Sequence, residues 1–466
     1  MHGAPLPSSA PAPASAPDPA FVHWTEGGQP REARWLSPAG APAPRRVVPA
    51  DDTLKADAAL RLISEGTALL WQGDFHNARQ LLQALARRVD EKAARGRPAA
   101  AAGGEPAQAF HRHRQAQAHR ARILGGILLP LTADGHIPLR RAPDAHAALA
   151  EGVGLPIQPP PAPPPASGAA APEPGPAPRD QAAAAAPLAA LLSLRELQGL
   201  IGAHEWRKKG VPIPALGASI HPHHGVFSPV RGEYVDLVAR APLPAALAPH
   251  PLALDVGTGT GVLAAVLARR GIARVIATDQ DPRALACAAD NLQRLGWARS
   301  VALQRADLFP AGGSPADPSA VDAGPAAPSS GDPSGAACSA VASSAADQRP
   351  RFGLIVCNPP WVPAKPASPI EAAVYDPDSR MLRAFLAGAA AHLADRGEAW
   401  LILSDLAEHL GLRRRDELLA WIEAGGLQVL GRLDARPQHP KAGDRRDPLH
   451  AARAAEVTSL WRLGRR

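Results

Sequence analysis

Residues 252–270 constrain the fold of this chain more than any other stretch. Leu252-Ala253-Leu254-Asp255-Val256 is a short apolar run that reads as a buried strand. It leads into Gly257-Thr258-Gly259-Thr260-Gly261, and then into the helical run Val262–Arg270. Glycine reaches left-handed backbone angles and lets a ligand approach the main chain, so strand, glycine turn and helix together predict a ligand-binding α/β unit. The glycines run G-x-G-x-G, whereas the dinucleotide fingerprint is G-x-G-x-x-G, which argues against a dinucleotide ligand.

The following residues extend the pattern. Ala273–Thr278 predicts a second strand that ends at Asp279, whose carboxylate can accept hydrogen bonds from both ribose hydroxyls of a nucleoside. An acid there also fits a helix N-cap, although Asp281, just before Pro282, suits that role better. A third strand, Val301–Ala306, ends at Asp307, a carboxylate able to take an adenine amine. A fourth, Gly353–Cys357, ends at Asn358-Pro359-Pro360-Trp361. Proline fixes φ and donates no hydrogen bond, so this loop offers one amide and several free carbonyls in a rigid frame. With an aromatic beside them, these groups form a cradle for a planar NH2 group. The same tetrapeptide also fits an ordinary proline-stiffened turn.

Taken in order, these motifs resemble the class I S-adenosylmethionine-dependent methyltransferases, and within them the group whose NPPY/NPPW loop methylates planar nitrogen. The resemblance spans about residues 190–466, with gaps. It implies S-adenosyl-L-methionine as cofactor, bound by Asp255, Gly257, Gly259, Gly261, Asp279 and Asp307, and catalysis at Asn358, Pro359, Pro360 and Trp361. Two stretches look like the release-factor glutamine methyltransferases in particular. Gly225–Tyr234 stands where that family has an acceptor-side segment, and Tyr375-Asp376-Pro377 where it has a Glu-Pro pair. The chain departs from that family in lacking the glycine pair after Glu-Pro. It also has Ser404-Asp405-Leu406 where the family has Glu-His-Gly.

The remaining strands complete a seven-stranded Rossmann-like α/β pattern: Ala399–Leu403, Leu427–Arg432 and Val457–Leu463. Right-handed crossovers place every motif at the strands' carboxyl edge. In the expected chemistry, Asn358 Oδ1 and the Pro359 carbonyl each accept one N–H of the acceptor nitrogen. Trp361 stacks on the acceptor plane, and Asp376 is a candidate proton acceptor.

Composition divides the rest. The 466 residues include 53 prolines, more than half of them in alanine- and proline-rich blocks at 1–50, 155–187 and 310–350. Such blocks lack the apolar bulk that offsets chain ordering, so they are expected to be disordered, the last as an insertion in a catalytic domain spanning 188–466. Between the first two blocks, 51–154 reads as a small helical module that grips the acceptor. Leu60, Ile63, Thr67 and Leu70 share one helical face, and Phe75, Ala78, Leu82, Leu85 and Val89 another, with Gly73-Asp74 as breaker and N-cap. A third helix, 108–124, carries Arg112, Arg114, Arg120 and Arg122 with His111, His113 and His119 and no acid. It reads either as a face for RNA phosphates or an acidic protein, or as a solvated face.

A net charge of +7 permits an acidic partner without requiring one. Cys287, Cys338 and Cys357 show neither metal nor disulfide spacing, and His221, His223 and His224 straddle a proline, so no metal is expected. No signal peptide and no apolar run of about 18 residues is evident, so a cytoplasmic protein without membrane contact is expected. Four functions stay open: methylation of a protein glutamine, of an exocyclic amine of RNA (or DNA) or of a small molecule, and a non-catalytic adaptor.

Overall fold

The computed structural model describes residues 20–95, 105–158, 188–310, 350–437, 444–445 and 447–466. Two compact units emerge. One gathers the described residues up to 37 with 41–87 and 123–197; the other gathers 38–40, 88–122 and 198–466. The expected insertion at 310–350 lies outside the described residues except at its two ends, as does Cys338.

The first unit is built on a sheet as well as on helices. Its frame is a six-stranded sheet of β1 (Phe21–Glu26), β2 (Gln29–Leu36), β3 (Arg46–Ala50), β4 (Thr67–Trp71), β5 (Ile127–Thr132) and β6 (Leu188–Ser193), in the order β1-β2-β6-β5-β4-β3. Helices α1 (Ala56–Ser64) and α4 (His146–Val153) belong to it, as does most of α2 (Phe75–Arg95); α3 (Pro106–Leu124) falls mainly in the other unit. Three expectations are corrected.

Residues 21–50, expected to be disordered, form three strands. Val22 and Trp24 alternate inward along β1, and Ala33, Leu36 and Val47 are buried on β2 and β3, so apolar burial outweighs the proline-rich composition around it. The run containing Thr67 and Leu70 is a strand rather than a second helical turn. All five residues of β4 are buried, and so short an apolar run fits either element until its neighbours are known. Finally, Leu188–Ser193 pairs with both β2 and β5, so the catalytic unit begins near residue 198 rather than 188. Asp74 does cap α2: its Oδ1 accepts from the backbone N–H of His76 at 2.8 Å.

The second unit follows the sequence closely. After α5 (Leu194–Lys209), the short hairpin β7 (Val211–Ile213) and β8 (Ala218–Ile220), and α6 (Glu233–Arg240), the main sheet begins. It contains β9 (Leu252–Val256), β10 (Arg274–Asp279), β11 (Val301–Arg305), β12 (Phe352–Cys357), β13 (Leu393–Ser404), β14 (Leu427–Ala435) and β15 (Thr458–Arg465). Its order is β11-β10-β9-β12-β13-β15-β14, parallel throughout except for β15, which is antiparallel to both neighbours.

Apolar side chains bury both faces. Helices α7 (Val262–Arg269) and α8 (Pro282–Arg294) follow β9 and β10. Helices α9 (Arg380–His392), α10 (Leu406–His409), α11 (Arg415–Ala424) and α12 (His450–Ala455) complete the unit. Asp281 caps α8, its carboxylate accepting from Arg283 N. Sheet order reverses beside β9, which lies between β10 and β12. A doubly wound sheet opens its ligand crevice at that point.

Candidate functional site

Strand register brings the motifs together. Val256 lies opposite Thr278 on one side and Cys357 on the other. The next residues are therefore Gly257, Asp279 and Asn358, side by side on three adjacent strands, with strand axes about 5 Å apart. Residues separated by a hundred positions thus share one edge.

The glycine turn depends on its glycines. Gly257, Gly259 and Gly261 have φ of +71°, +56° and +79°, angles that strain any residue with a Cβ. At Gly261 a Cβ would also stand 3.1 Å from Ala288 Cβ, because α8 passes directly beneath. At Gly259 nothing lies closer than 4.0 Å, which leaves the backbone open to a ligand. The turn is tied down by the N–H groups of Gly257 and Thr258, both donating to the Thr278 carbonyl at 2.9 Å.

The two acids play different parts. Asp255 is 1% exposed and organises the turn from inside. Its Oδ2 accepts from the Thr258 hydroxyl at 2.7 Å and from Ala264 N at 3.1 Å. Burial pushes its carboxyl up to about 6, opposed by those two hydrogen bonds. Asp279 is only partly buried. Gly259 N donates to Oδ2 at 3.0 Å and Asp281 N to Oδ1 at 2.9 Å. Burial raises its pKa as well, in part because these donors offset only some of the desolvation. An acid desolvated but still reachable suits hydroxyl donors from a ribose. Asp307 lies exposed just beyond β11, and the neighbouring Ala306 N donates to the Asp279 carbonyl at 3.1 Å.

In the Asn358-Pro359-Pro360-Trp361 loop the aromatic has a role the sequence did not suggest. The Trp361 indole N–H donates to Asn358 Oδ1 at 2.9 Å, and the Trp361 ring faces the Arg231 guanidinium, with Cζ 5.8 Å from the ring centroid. A carbonyl oxygen carries two lone pairs, so Oδ1 keeps one for a further donor. Past the loop, the chain folds back so that Val362 and Tyr375 form a bridge. Asp376, the candidate proton acceptor, is engaged elsewhere. It is buried, and its Oδ2 accepts from Met381 N at 2.8 Å and Leu382 N at 3.2 Å, capping α9.

Several residues here carried no clear signal in the sequence. Glu456, fully buried, accepts from Arg231 at 2.9 Å and from the Ser404 hydroxyl at 2.7 Å. Arg413 donates to the Trp361 carbonyl at 3.4 Å. Two of the four arginines on α3 are engaged with acids within the unit. Arg114 pairs with Glu371 at 2.9 Å and donates to the Lys365 carbonyl, and Arg120 binds Asp90 through two nitrogens. Phe110 is buried with Val362, Leu410 and Leu449. The histidine group serves packing: His221 bonds Asn291 and the Arg207 carbonyl, and His223 bonds Asp290.

Among known proteins, the methyltransferase domain family matches residues 253–323. A release factor glutamine methyltransferase of Cereibacter sphaeroides is 31% identical over 208 residues, covering 41% of this chain and 59% of that protein. A ribosomal protein L11 methyltransferase of Pelotomaculum thermopropionicum is 49% identical over 55 residues, 12% of this chain and 18% of that one. The chain thus spans less than two thirds of either relative. The crystal structure of a ribosomal protein L11 methylase from Lactobacillus delbrueckii subsp. bulgaricus is 16% identical, with a TM-score of 0.30 over 53% of this chain and 85% of that one. The glycine turn at residues 257–261 falls inside the stretch that matches the methyltransferase domain family, so the unit spanning residues 198–466 is similar there to known methyltransferases.

Proposed function

We propose that the chain is an S-adenosylmethionine-dependent N-methyltransferase whose acceptor is a planar nitrogen, with the side-chain amide of a protein glutamine as the favoured acceptor. The observation that carries this reading is the alignment of Asp279, Gly257 and Asn358 on adjacent strands. It puts a nucleoside-binding acid and an amide cradle one strand apart.

The residues suit the cofactor. Gly259 leaves the main chain uncovered, Asp279 presents a reachable carboxylate for ribose hydroxyls, and Asp307 stands exposed for a base amine. When bound, S-adenosylmethionine supplies a methyl group on positively charged sulfur, an electrophile that needs no further activation. The protein's task is therefore alignment, which can contribute on the order of 7–11 kcal/mol.

An amide nitrogen shares its lone pair with its carbonyl and attacks poorly. The free lone pair of Asn358 Oδ1 and the Pro359 carbonyl each accept one of its N–H groups, which orients the nitrogen and favours a tetrahedral geometry. Trp361 fixes which end of the Asn358 side chain faces the acceptor. With Asp376 committed to capping α9, the proton leaves to water after transfer.

Similarity to a release factor glutamine methyltransferase supports the glutamine reading. The internal pairing of Arg114 and Arg120 weakens the feature that had favoured an RNA base. The test is transfer of tritiated methyl from labelled S-adenosylmethionine to lysate from cells lacking this protein, with wild type and Asn358→Ala side by side. Label made only by wild type and released by protease supports the proposal. Label removed by RNase or DNase moves the acceptor to a nucleic-acid base. No label above the Asn358→Ala control overturns the macromolecular acceptor and leaves a small-molecule acceptor or an adaptor.

A further inference from the structure

Glu456 stands two residues before β15, and its carboxylate is enclosed. One oxygen holds both Arg231 and Ser404, and its other oxygen, Oε2, is buried without a partner among the described residues. A buried carboxylate in that state depends strongly on its one cation. Arg231 is correspondingly fixed: its side chain is 24% exposed and its head group is anchored by Glu456. The same guanidinium faces the Trp361 ring, and the indole N–H of Trp361 reaches Asn358 Oδ1. Arg413 holds the same tryptophan from its backbone side.

We infer that Arg231 is a positioning residue for the Asn358 carboxamide, acting through Trp361 and itself set by Glu456; this rests on the reading of Asn358 as the group that orients the acceptor. The physical steps are local. The cation at the ring sets the indole's orientation. That orientation decides whether its N–H meets Oδ1. The hydrogen bond then fixes which end of the carboxamide, oxygen or NH2, is turned toward the acceptor. A reversed carboxamide would present a donor to another donor. The segment Gly225–Tyr234 thus acts on the chemistry from behind the tryptophan, without touching the reacting nitrogen.

The experiment reads Trp361 directly and needs no acceptor. In 15N-labelled full-length protein the indole N–H resonance of Trp361 is assigned by its loss in Trp361→Phe, and its hydrogen exchange is measured. Arg231→Ala is expected to speed that exchange by about threefold to thirtyfold, the range spanned by exposed and desolvated cation–ring contacts. Cofactor affinity should stay within twofold (roughly the error of additive, distant effects).

Arg231→Lys preserves the charge opposite Glu456 but lacks the planar face, and is expected to leave exchange fast. Full protection in Arg231→Lys would reduce Arg231 to an ion-pair partner and overturn the relay, as would unchanged exchange in Arg231→Ala. If Arg231→Ala does not fold, Arg231→Met combined with Glu456→Gln removes the cation without stranding a buried charge, and its exchange decides the matter in the same way. A wild type that transfers no methyl would sink the proposed function while leaving the indole measurement to decide this inference.

Discussion

The guanidinium carbon of Arg114 lies 4.0 Å from the centre of the Tyr375 ring, and its nitrogens bind Glu371 and the Lys365 carbonyl. A helix near the start of the chain therefore clamps the loop that follows Trp361. Arg114→Ala should release residues 365–375. Hydrogen exchange followed by mass spectrometry is expected to show faster exchange there, at a stability loss of about 1–2 kcal/mol for a partly buried, charge-assisted contact. Arg114→Lys should rescue little, because an ammonium cannot stack and make both polar contacts at once.

Removing the amide of Asn358 should separate binding from chemistry. Asn358→Ala is expected to bind S-adenosylmethionine normally, yet to transfer methyl about 100-fold more slowly or worse, the scale for losing a key polar stabiliser. Calorimetry beside the methyl-transfer assay checks both halves, and unchanged turnover would rule out the cradle.

Asp279 holds the Gly259 N–H, and in the proposed reading it also accepts from the nucleoside. Asp279→Ala should weaken cofactor binding by about 1–3 kcal/mol. A normal dissociation constant by calorimetry would show that the acid serves the turn alone.

Asp255 gives a prediction for pH. Its carboxyl ionises at about 6 in the folded chain, raised by burial, and near 3.9 when unfolded. The folded state therefore holds the proton more tightly. This contribution to stability is fully present below about pH 4 and is lost as pH rises through about 6, a change of about 3 kcal/mol. Asp255→Asn keeps an oxygen for Thr258 and Ala264 but cannot ionise. Unfolding midpoints at pH 4, 5, 6 and 7.5 should show the variant gaining on wild type as pH rises.

Gly261 tests the packing under the turn. Gly261→Ala places a methyl against Ala288 at a φ of +79°. The expected loss is about 2–4 kcal/mol from backbone strain and overpacking together. A melting temperature equal to wild type would mean that α8 yields easily.

The seven strands of the main sheet were legible in the sequence, although β13 begins at Leu393 rather than Ala399, and the sheet of the first unit was not. Strands such as Phe352–Cys357 are apolar throughout and end at Asn, Asp or Gly, so their limits and their functional termini are written locally. The segment Thr67–Trp71 has the same apolar character, but it extends a helical pattern begun at Leu60, and periodicity over five residues does not separate the two. Leu188–Ser193 becomes a central strand only because β2 and β5, from far earlier in the chain, lie on either side of it.

The sequence by itself determined the glycine turn, the acids at the strand ends and the Asn358–Trp361 loop, because each is a short-range demand of backbone geometry or of an element boundary. Only the tertiary structure decided what those groups do to one another. Asp255 serves the turn, Asp376 caps a helix, and Trp361 bonds Asn358 while facing Arg231. Arg231 and Glu456 are 225 residues apart, and Arg114 and Glu371 are 257 apart. A contact over such a separation leaves no periodic or local trace, since it exists only once the strands between have fixed their register.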